Sequence, residues 1–150
     1  MSVDVRAEVA ISRPRDEVAE YVMDPANDRS WIKGIREAVP LTPPPVGVGT
    51  RVRRVASFLG RRMEYTMEVT ELVTGERLVM RTKVPFDMTV TYAMAESEGG
   101  TLFSVRVQGG GSGFYKLAAP LLNGQVKRGI TQDVRLLKTV LERKGSEPRP

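Results

Sequence analysis

Four polar side chains lie in strand-like segments that are otherwise apolar, and these residues are the best placed to do chemistry. They are Arg54, Tyr65, Thr82 and Tyr92. In an apolar pocket such groups orient a ligand, and a guanidinium or a phenol can also stabilise the charge of an enolate. Each tyrosine hydroxyl can instead bond to a nearby backbone group, which is the commoner arrangement for buried tyrosines.

The residue types that are missing narrow the chemistry. The 150 residues include no histidine and no cysteine. Thiol catalysis and disulfides are therefore excluded, and a zinc or copper site is not expected. No carboxylate falls on the predicted inner face of the five central strands, so a paired-acid mechanism has no evident site. We assign no catalytic residue, no metal and no cofactor from the sequence.

Arg54 needs a partner, because an isolated buried guanidinium is costly and cannot lose its proton. Three alternatives are open. The side chain can reach water at the rim of a cavity, it can pair with an acid outside the five strands such as Glu37, or it can bind a carboxylate, phenolate or carbonyl of a ligand. In the last case Arg54→Met should fold at least as well as the parent and lose affinity for an acidic ligand.

These side chains belong to five predicted strands in hairpin succession. Turns containing Gly60, Gly75 and Gly99 join them. The registers that we expect place Phe58 opposite Met63, Ala56 opposite Tyr65, Arg54 opposite Met67, Val69 opposite Met80, and Tyr92 opposite Val105. In each hairpin the apolar residues then share one face, and a slip of one residue would scatter them. The pattern predicts a meandering antiparallel sheet.

The inner face of that sheet carries five of the seven methionines. Methionine adapts to ligands of varied shape, but it also fills gaps in an ordinary core. From this face and the C-terminal segment we predict the following ligand-binding residues: Arg54, Phe58, Tyr65, Met67, Met80, Thr82, Val90, Tyr92, Phe103 and Leu121.

The N-terminal third predicts a strand, two helices and another strand. Val3–Ile11 alternates like a half-buried strand, and a helix follows from about Pro14. Asp24 and Pro25 are typical of the cap and first position of a second, short helix. That helix runs to Trp31, the only tryptophan, which we expect to fill the core and which could also contact a ligand. Residues 32–39 indicate a further strand, and the proline-rich segment 40–49 indicates a loop.

The C-terminal third predicts one long amphipathic helix over 114–143, with apolar residues at steps of three and four. Pro120 should kink this helix or mark the start of its main part. Arg143 and Lys144 suit its negative end, and Gly145 is the expected stop. Gly124 and Gly129 would allow close approach to the sheet.

Length and composition indicate a single globular domain over 1–144, with a disordered tail over 145–150. No apolar run is long enough to span a membrane and no secretory signal is visible, which favours a cytoplasmic location. The net charge of +5 is spread along the chain, so we expect a solvated surface and no specific nucleic-acid partner. Either a monomer or a homodimer is compatible with the sequence.

Several short stretches carry a family resemblance. They are Ile11-Ser12-Arg13-Pro14-Arg15-Asp16-Glu17-Val18, then Asp24-Pro25 and Trp31, then Gly47-Val48-Gly49-Thr50-Arg51, Gly99-Gly100-Thr101, and Leu136-Leu137-Lys138 with Leu141-Glu142. Together they resemble polyketide cyclase/dehydrase-like proteins of the START and Bet v 1 type, the SRPBCC superfamily, over nearly the whole chain.

The resemblance implies an α+β helix-grip fold, with a curved antiparallel sheet in the order β-α-α-β-β-β-β-β-β-α wrapped around the C-terminal helix. It also implies an apolar cavity between sheet and helix, without a shared catalytic motif. The first function this suggests is a carrier or sensor that binds a small hydrophobic ligand, lipid-, polyketide- or quinone-like. The alternative is a polyketide cyclase or dehydratase acting in the same cavity. An RNA- or ribosome-interacting module has less support, because a basic stripe interleaved with aromatic residues is missing.

Overall fold

The chain folds as seven antiparallel strands and three helices in a computed structural model that describes residues 3–58, 60–84, 87–110 and 122–146. The strands are β1 (Val3–Ile11), β2 (Ile35–Pro40), β3 (Arg51–Phe58), β4 (Arg61–Val73), β5 (Arg77–Thr82), β6 (Asp87–Ser97) and β7 (Gly100–Gly110). The helices are α1 (Arg15–Met23), α2 (Asp28–Trp31) and α3 (Leu122–Ser146), and a 3-10 turn over Pro25–Asn27 precedes α2.

The strands form one sheet in the order β1-β7-β6-β5-β4-β3-β2, so the last strand returns to pair with the first. The short helices lie between β1 and β2, and α3 packs against β1, β7 and α2. This is the predicted helix-grip arrangement, and the predicted element order is confirmed. The alternation of buried and exposed residues in β1 and β4 gives the sheet one apolar and one polar face.

The apolar face and α3 share one core. Val134, Leu137 and Leu141 project from α3 and are at most 1% exposed, and Phe103 of β7 is fully buried. Burial of a large apolar side chain contributes about 1.5–3 kcal/mol. The packing of this stripe, rather than helix propensity, therefore holds α3 in place.

The polar face carries ion pairs between exposed side chains. Arg106 contacts Asp4 at 2.6 Å, and Arg81 contacts Asp87 at 3.1 Å. Such pairs stabilise a fold by about 0–1 kcal/mol each. Many of the arginines on this face are thus matched with acids on the same face, in agreement with the expected solvated surface.

Register is confirmed in two hairpins and wrong in one. Val69 pairs with Met80 and Tyr92 with Val105, as predicted. In the β3–β4 hairpin, however, Arg54 pairs with Tyr65 rather than with Met67. The turn comes one residue earlier than expected, because Gly60, with φ +77°, lies inside it rather than at its start. The shift of two residues keeps every side chain on its predicted face.

The N-terminal helices follow the predicted capping. The Asp24 carboxylate accepts a hydrogen bond from the Ala26 N–H at 3.0 Å, and Pro25 opens the following turn. That turn is a 3-10 turn, and only Asp28–Trp31 is α-helical. Strand β2 begins at Ile35, later than predicted, because residues 32–34 follow the end of α2 and form a tight turn.

Helix α3 differs from the prediction at its C-terminus and at its glycines. It includes Gly145 and ends at Ser146, with Arg143 and Lys144 in its last turn as expected. A Cβ added at Gly124 or Gly129 would meet no heavy atom of the described residues within 4 Å, so the expected close approach to the sheet is wrong. The predicted helical segment 114–121, including Pro120, and the tail residues 147–150 lie outside the described residues.

Candidate functional site: a cavity between the sheet and helix α3

A cavity of about 440 Å³ lies between the apolar face of the sheet and α3. Residues 31–36, from the end of α2 to the start of β2, form a third side of it. Its size falls within the usual range of ligand pockets, about 300–1,000 Å³. The sheet contributes Arg54, Ala56, Tyr65, Val90, Tyr92 and Val107, among others. The helix contributes Gln125, Val126, Gly129, Ile130 and Asp133.

The predicted ligand-binding residues separate into three groups. Arg54, Tyr65, Val90 and Tyr92 line the cavity together. Met67, Met80, Thr82 and Phe103 are buried in the protein but are not among the lining residues. The Phe58 side chain and Leu121 lie outside the described residues. A ligand-binding role stays a prediction for all ten.

The methionines of the inner face divide in the same way. Met63 and Met88 line the cavity, whereas Met67, Met80 and Met94 belong to the packed core. Thr82 is also accounted for structurally, because its hydroxyl donates to the carbonyl of Val84 at 3.2 Å. The methionines of the inner face therefore serve both core packing and cavity lining in this fold.

Arg54 has a partner within the chain, and it is Asp28 rather than Glu37. The guanidinium donates from Nε and Nη2 to Asp28 Oδ2 at 3.1 and 2.9 Å, and the two residues are 5% and 2% exposed. Glu37 lies on the outer surface, 3.7 Å from Arg53. The alternative in which a ligand supplies the countercharge of Arg54 is therefore wrong. The expectation that Arg54→Met folds at least as well as the parent depended on that alternative and is wrong with it.

Two phenols complete this buried cluster. Arg54 Nη2 donates to the Tyr92 hydroxyl at 3.5 Å, and Arg54 also hydrogen bonds with Tyr65. Burial raises the pKa of Tyr92 to about 12, partly opposed by the Arg54 charge, and burial likewise raises the pKa of Tyr65. Both phenols are consequently neutral near pH 7 and keep their hydroxyl protons for donation.

Burial also raises the pKa of Asp28, although the charge of Arg54 and its hydrogen bonds act in the opposite direction. A carboxylate in this position is tolerated because the guanidinium is close and correctly oriented. The sequence held a signal for this residue. Asp28 and Trp31 are three residues apart on a predicted helix, so both face the same way, and Trp31 was expected in the core.

Trp31 fixes the aromatic part of the wall. Its ring meets Tyr92 edge-on, with centroids 5.4 Å apart, and Phe103 at 5.8 Å. Trp31 is 1% exposed and also lines the cavity, so it is both a core residue and a potential ligand contact. Its indole N–H is buried without a hydrogen-bond partner among the described residues.

Asp133 on α3 is the second acid that sequence reasoning missed. Its Oδ1 accepts a hydrogen bond from the Lys33 backbone N–H at 3.0 Å, and the residue lines the cavity. Burial raises its pKa to about 6, against the opposing effects of that N–H and the Lys33 charge. Its position next to Val134 on the edge of the apolar stripe was the available signal.

Two further observations concern the described residues as a whole. They contain no group of three or more acids that could hold a metal ion. None of their helices is both long and apolar enough to cross a membrane.

Solved structures share this architecture. TTHA0849 from Thermus thermophilus is 19% identical with a TM-score of 0.79, covering 95% of this chain and 99% of that one. Ara h 8.0201 is 14% identical with a TM-score of 0.69, covering 95% and 99%. The di-domain ARO/CYC StfQ from the steffimycin biosynthetic pathway is 12% identical with a TM-score of 0.76, and the match covers 98% of this chain and 53% of StfQ. At these identities the likeness establishes the fold, a Bet v 1-like helix-grip.

The sequence itself places the chain within that fold class. Residues 2–142 match the family described as polyketide cyclase / dehydrase and lipid transport. The chain belongs to this family, within the SRPBCC superfamily. No curated protein matches the sequence significantly. Family and fold together define a protein of the hydrophobic ligand-binding or polyketide cyclase/dehydrase type.

Proposed function

We propose that this protein is a carrier or sensor that holds one small hydrophobic molecule in the cavity between the sheet and α3. The observation that carries the proposal is the cavity itself, about 440 Å³ with a mainly apolar wall and a small number of polar groups. Burial of apolar ligand surface supplies affinity, and the few polar groups supply orientation. The family description, which includes lipid transport, supports the same reading.

The polar cluster favours a neutral oxygen on the ligand. Asp28 already balances the charge of Arg54, so a ligand carboxylate would gain little there and would lose its hydration. The phenols of Tyr65 and Tyr92 and the guanidinium can still donate to a carbonyl or hydroxyl oxygen. A ketone-, quinone- or polyketide-like molecule suits these donors better than the acidic ligand that one of the alternatives for Arg54 allowed.

Displacement of a fluorescent dye tests this proposal. The polycyclic dye 1-aminoanthracene should bind and become brighter, and 2-acetylnaphthalene should displace it at least as well as 2-naphthoate. These competitors share a ring system and differ in a ketone against a carboxylate. If neither they nor dodecanoate displaces the dye, the binding proposal fails; a clear preference for naphthoate would refute the assignment of a neutral oxygen.

Two glycines of α3 offer a matched pair of variants. Gly129 lines the cavity and Gly124 does not, and a Cβ at either position meets no described heavy atom within 4 Å. Gly129→Phe should therefore fill part of the cavity and weaken dye binding by about tenfold or more, equivalent to 1.4 kcal/mol. Gly124→Phe should bind the dye as the parent does. Equal binding by both variants would locate the dye elsewhere.

A second candidate function is a polyketide cyclase or dehydratase acting in the same cavity. The observation in its favour is that the cavity wall holds a partly buried carboxyl, Asp133, as well as the donors Arg54, Tyr65 and Tyr92. The structural neighbour StfQ is described as an ARO/CYC protein. Native mass spectrometry of the purified protein would identify a co-purified molecule, and its conversion or persistence on incubation separates enzyme from carrier.

A further inference from the structure

Asp133 lines the cavity, unlike the other acidic residues that the structure describes. Among the described lining residues, the charged and titratable groups are Lys33, Arg36, Arg54, Tyr65, Tyr92 and Asp133, and Asp133 is the only carboxyl. The Lys33 N–H holds its Oδ1. No other hydrogen bond to Asp133 occurs within the described residues, which leaves Oδ2 able to accept a proton.

The surroundings make this carboxylate more basic than a solvated one. Burial is the main reason that its pKa rises to about 6. At pH 7 the carboxylate form still predominates, so the group is both ionised and an effective proton acceptor. A general base works best when its pKa lies close to the working pH.

The same cavity also holds donors for a developing negative charge. Tyr65 and Tyr92 keep their protons near pH 7, and Arg54, although Asp28 balances its charge, is a further hydrogen-bond donor. Fixed donors that are excluded from water stabilise an oxyanion strongly. A base and an oxyanion site on one apolar cavity are the two parts needed to remove a proton from carbon next to a carbonyl.

We propose that Asp133 is the general base of this cavity and that it deprotonates a carbon α to a carbonyl of a bound polyketone-like ligand. The inference rests on the proposed function, since it requires that the cavity hold such a ligand. The C–H bond breaks, its electron pair forms the enolate double bond, and the carbonyl π electrons move to the oxygen facing the Arg54 cluster. The proton goes to Asp133 Oδ2.

The enolate carbon can then attack a second carbonyl of the same ligand. One C–C bond forms, and the resulting alkoxide takes a proton back from Asp133, so the ring closure is a net isomerisation with no oxidant or reductant. Loss of water from the product would complete a dehydration. The further inference thus assigns the catalytic base for the cyclase candidate.

The probe 5-nitrobenzisoxazole tests the proton transfer without knowledge of the natural ligand. A base removes its only ring-carbon proton next to nitrogen, the N–O bond breaks, and a coloured cyanonitrophenolate forms. The parent should accelerate this reaction with a kcat/KM that rises with pH and levels off above an inflection near 6, the pKa given for Asp133. Asp133→Asn, which can still accept the Lys33 N–H, should lower kcat/KM by about 10²-fold or more and abolish the inflection.

The control is Glu20→Gln, which removes an exposed acid on α1 and should leave the profile unchanged. A parent profile without the inflection, or an Asp133→Asn variant as fast as the parent, would overturn the assignment. The first of these outcomes is measured on the parent protein alone, so it does not depend on whether a variant folds. Binding of 1-aminoanthracene is measured on the same samples. Dye binding without proton transfer contradicts only this inference, whereas absence of dye binding by the parent contradicts the proposed function itself.

Discussion

Arg54 on β3 and Asp28 on α2 form a buried ion pair between residues that are 26 positions apart in the chain. The pair joins the sheet to the short helix that also carries Trp31, and it lies beside the cavity. Two opposite charges removed from water stabilise a fold little in themselves. What matters is that neither charge can be removed alone without leaving the other buried and unpaired.

Arg54→Met should therefore destabilise the protein by about 3–5 kcal/mol, the usual cost of breaking a buried pair. The double variant Arg54→Met with Asp28→Leu should recover much of that loss, because no isolated charge remains. Urea denaturation of the parent, both single variants and the double variant gives the coupling energy. A single Arg54→Met variant as stable as the parent would show that the pair is not formed in solution.

This pair also marks where prediction from sequence stops. The period of two in β-strands was enough to put Arg54, Tyr65 and Tyr92 on the inner face, and the even register error at Gly60 did not alter that result. The partner of Arg54 depends on how α2 lies over the sheet. No local pattern contains that information, so pairing with an acid outside the five strands was one of three alternatives, and Asp28 was not identified.

Asp133 was missed for a different reason. Helical periodicity defines a stripe, and a polar residue at its edge is normally assigned to solvent. Whether the edge faces water or a cavity is determined by the space that the sheet leaves open, here bounded by residues 31–36 and α3. The division of the methionines between core and cavity depends on the same space, and it could not be predicted residue by residue.

The packing of α3 predicts the effect of shortening one buried side chain. Leu137 is completely buried, and Leu137→Ala should lower the free energy of unfolding by about 2–5 kcal/mol through lost contacts and a residual cavity. Thr139→Ala is the control on the same helix, because Thr139 is exposed and its hydroxyl donates to the Arg135 carbonyl of the same helix. It should change stability by about 0.5 kcal/mol or less. Similar denaturation midpoints for the two variants would contradict the packing.

A second pair of variants tests the close approach of β1 and β7 where their antiparallel pairing ends. A Cβ at Gly100 would lie 2.0 Å from the Ile11 carbonyl oxygen, which is too close for any side chain. Gly100→Ala must displace backbone where Thr101 donates to the Arg13 carbonyl, and it should cost at least about 1–3 kcal/mol. Gly124→Ala, whose Cβ would meet no described heavy atom within 4 Å, should instead stabilise α3 by about 0.5–1 kcal/mol. Thermal melts of both variants show whether each substitution raises or lowers stability. A Gly100→Ala variant as stable as the parent would refute the close contact.

The pH dependence of stability tests the environment of Asp133 independently of any ligand. Its pKa is about 6 in the folded protein against an ordinary value of 3.8. Between these two pH values the folded state binds more protons than the unfolded state, so the contribution of Asp133 to stability falls as pH rises. The cost is complete above about pH 6 and absent once the unfolded chain is protonated as well.

Asp133→Asn removes that cost while retaining an acceptor for the Lys33 N–H. The variant should exceed the parent in stability at pH 8 by about 1–3 kcal/mol, with allowance for partial exposure of the group, and most of this advantage should vanish at pH 4. The Lys33 charge and backbone N–H oppose the effect of burial, and the pKa of about 6 is the net result. Denaturant melts at the two pH values, with Glu20→Gln as the exposed control, measure the difference. A stability advantage that is equal at both pH values would mean that Asp133 titrates as a solvated acid. The cavity would then not raise the basicity of its carboxylate, contrary to our inference.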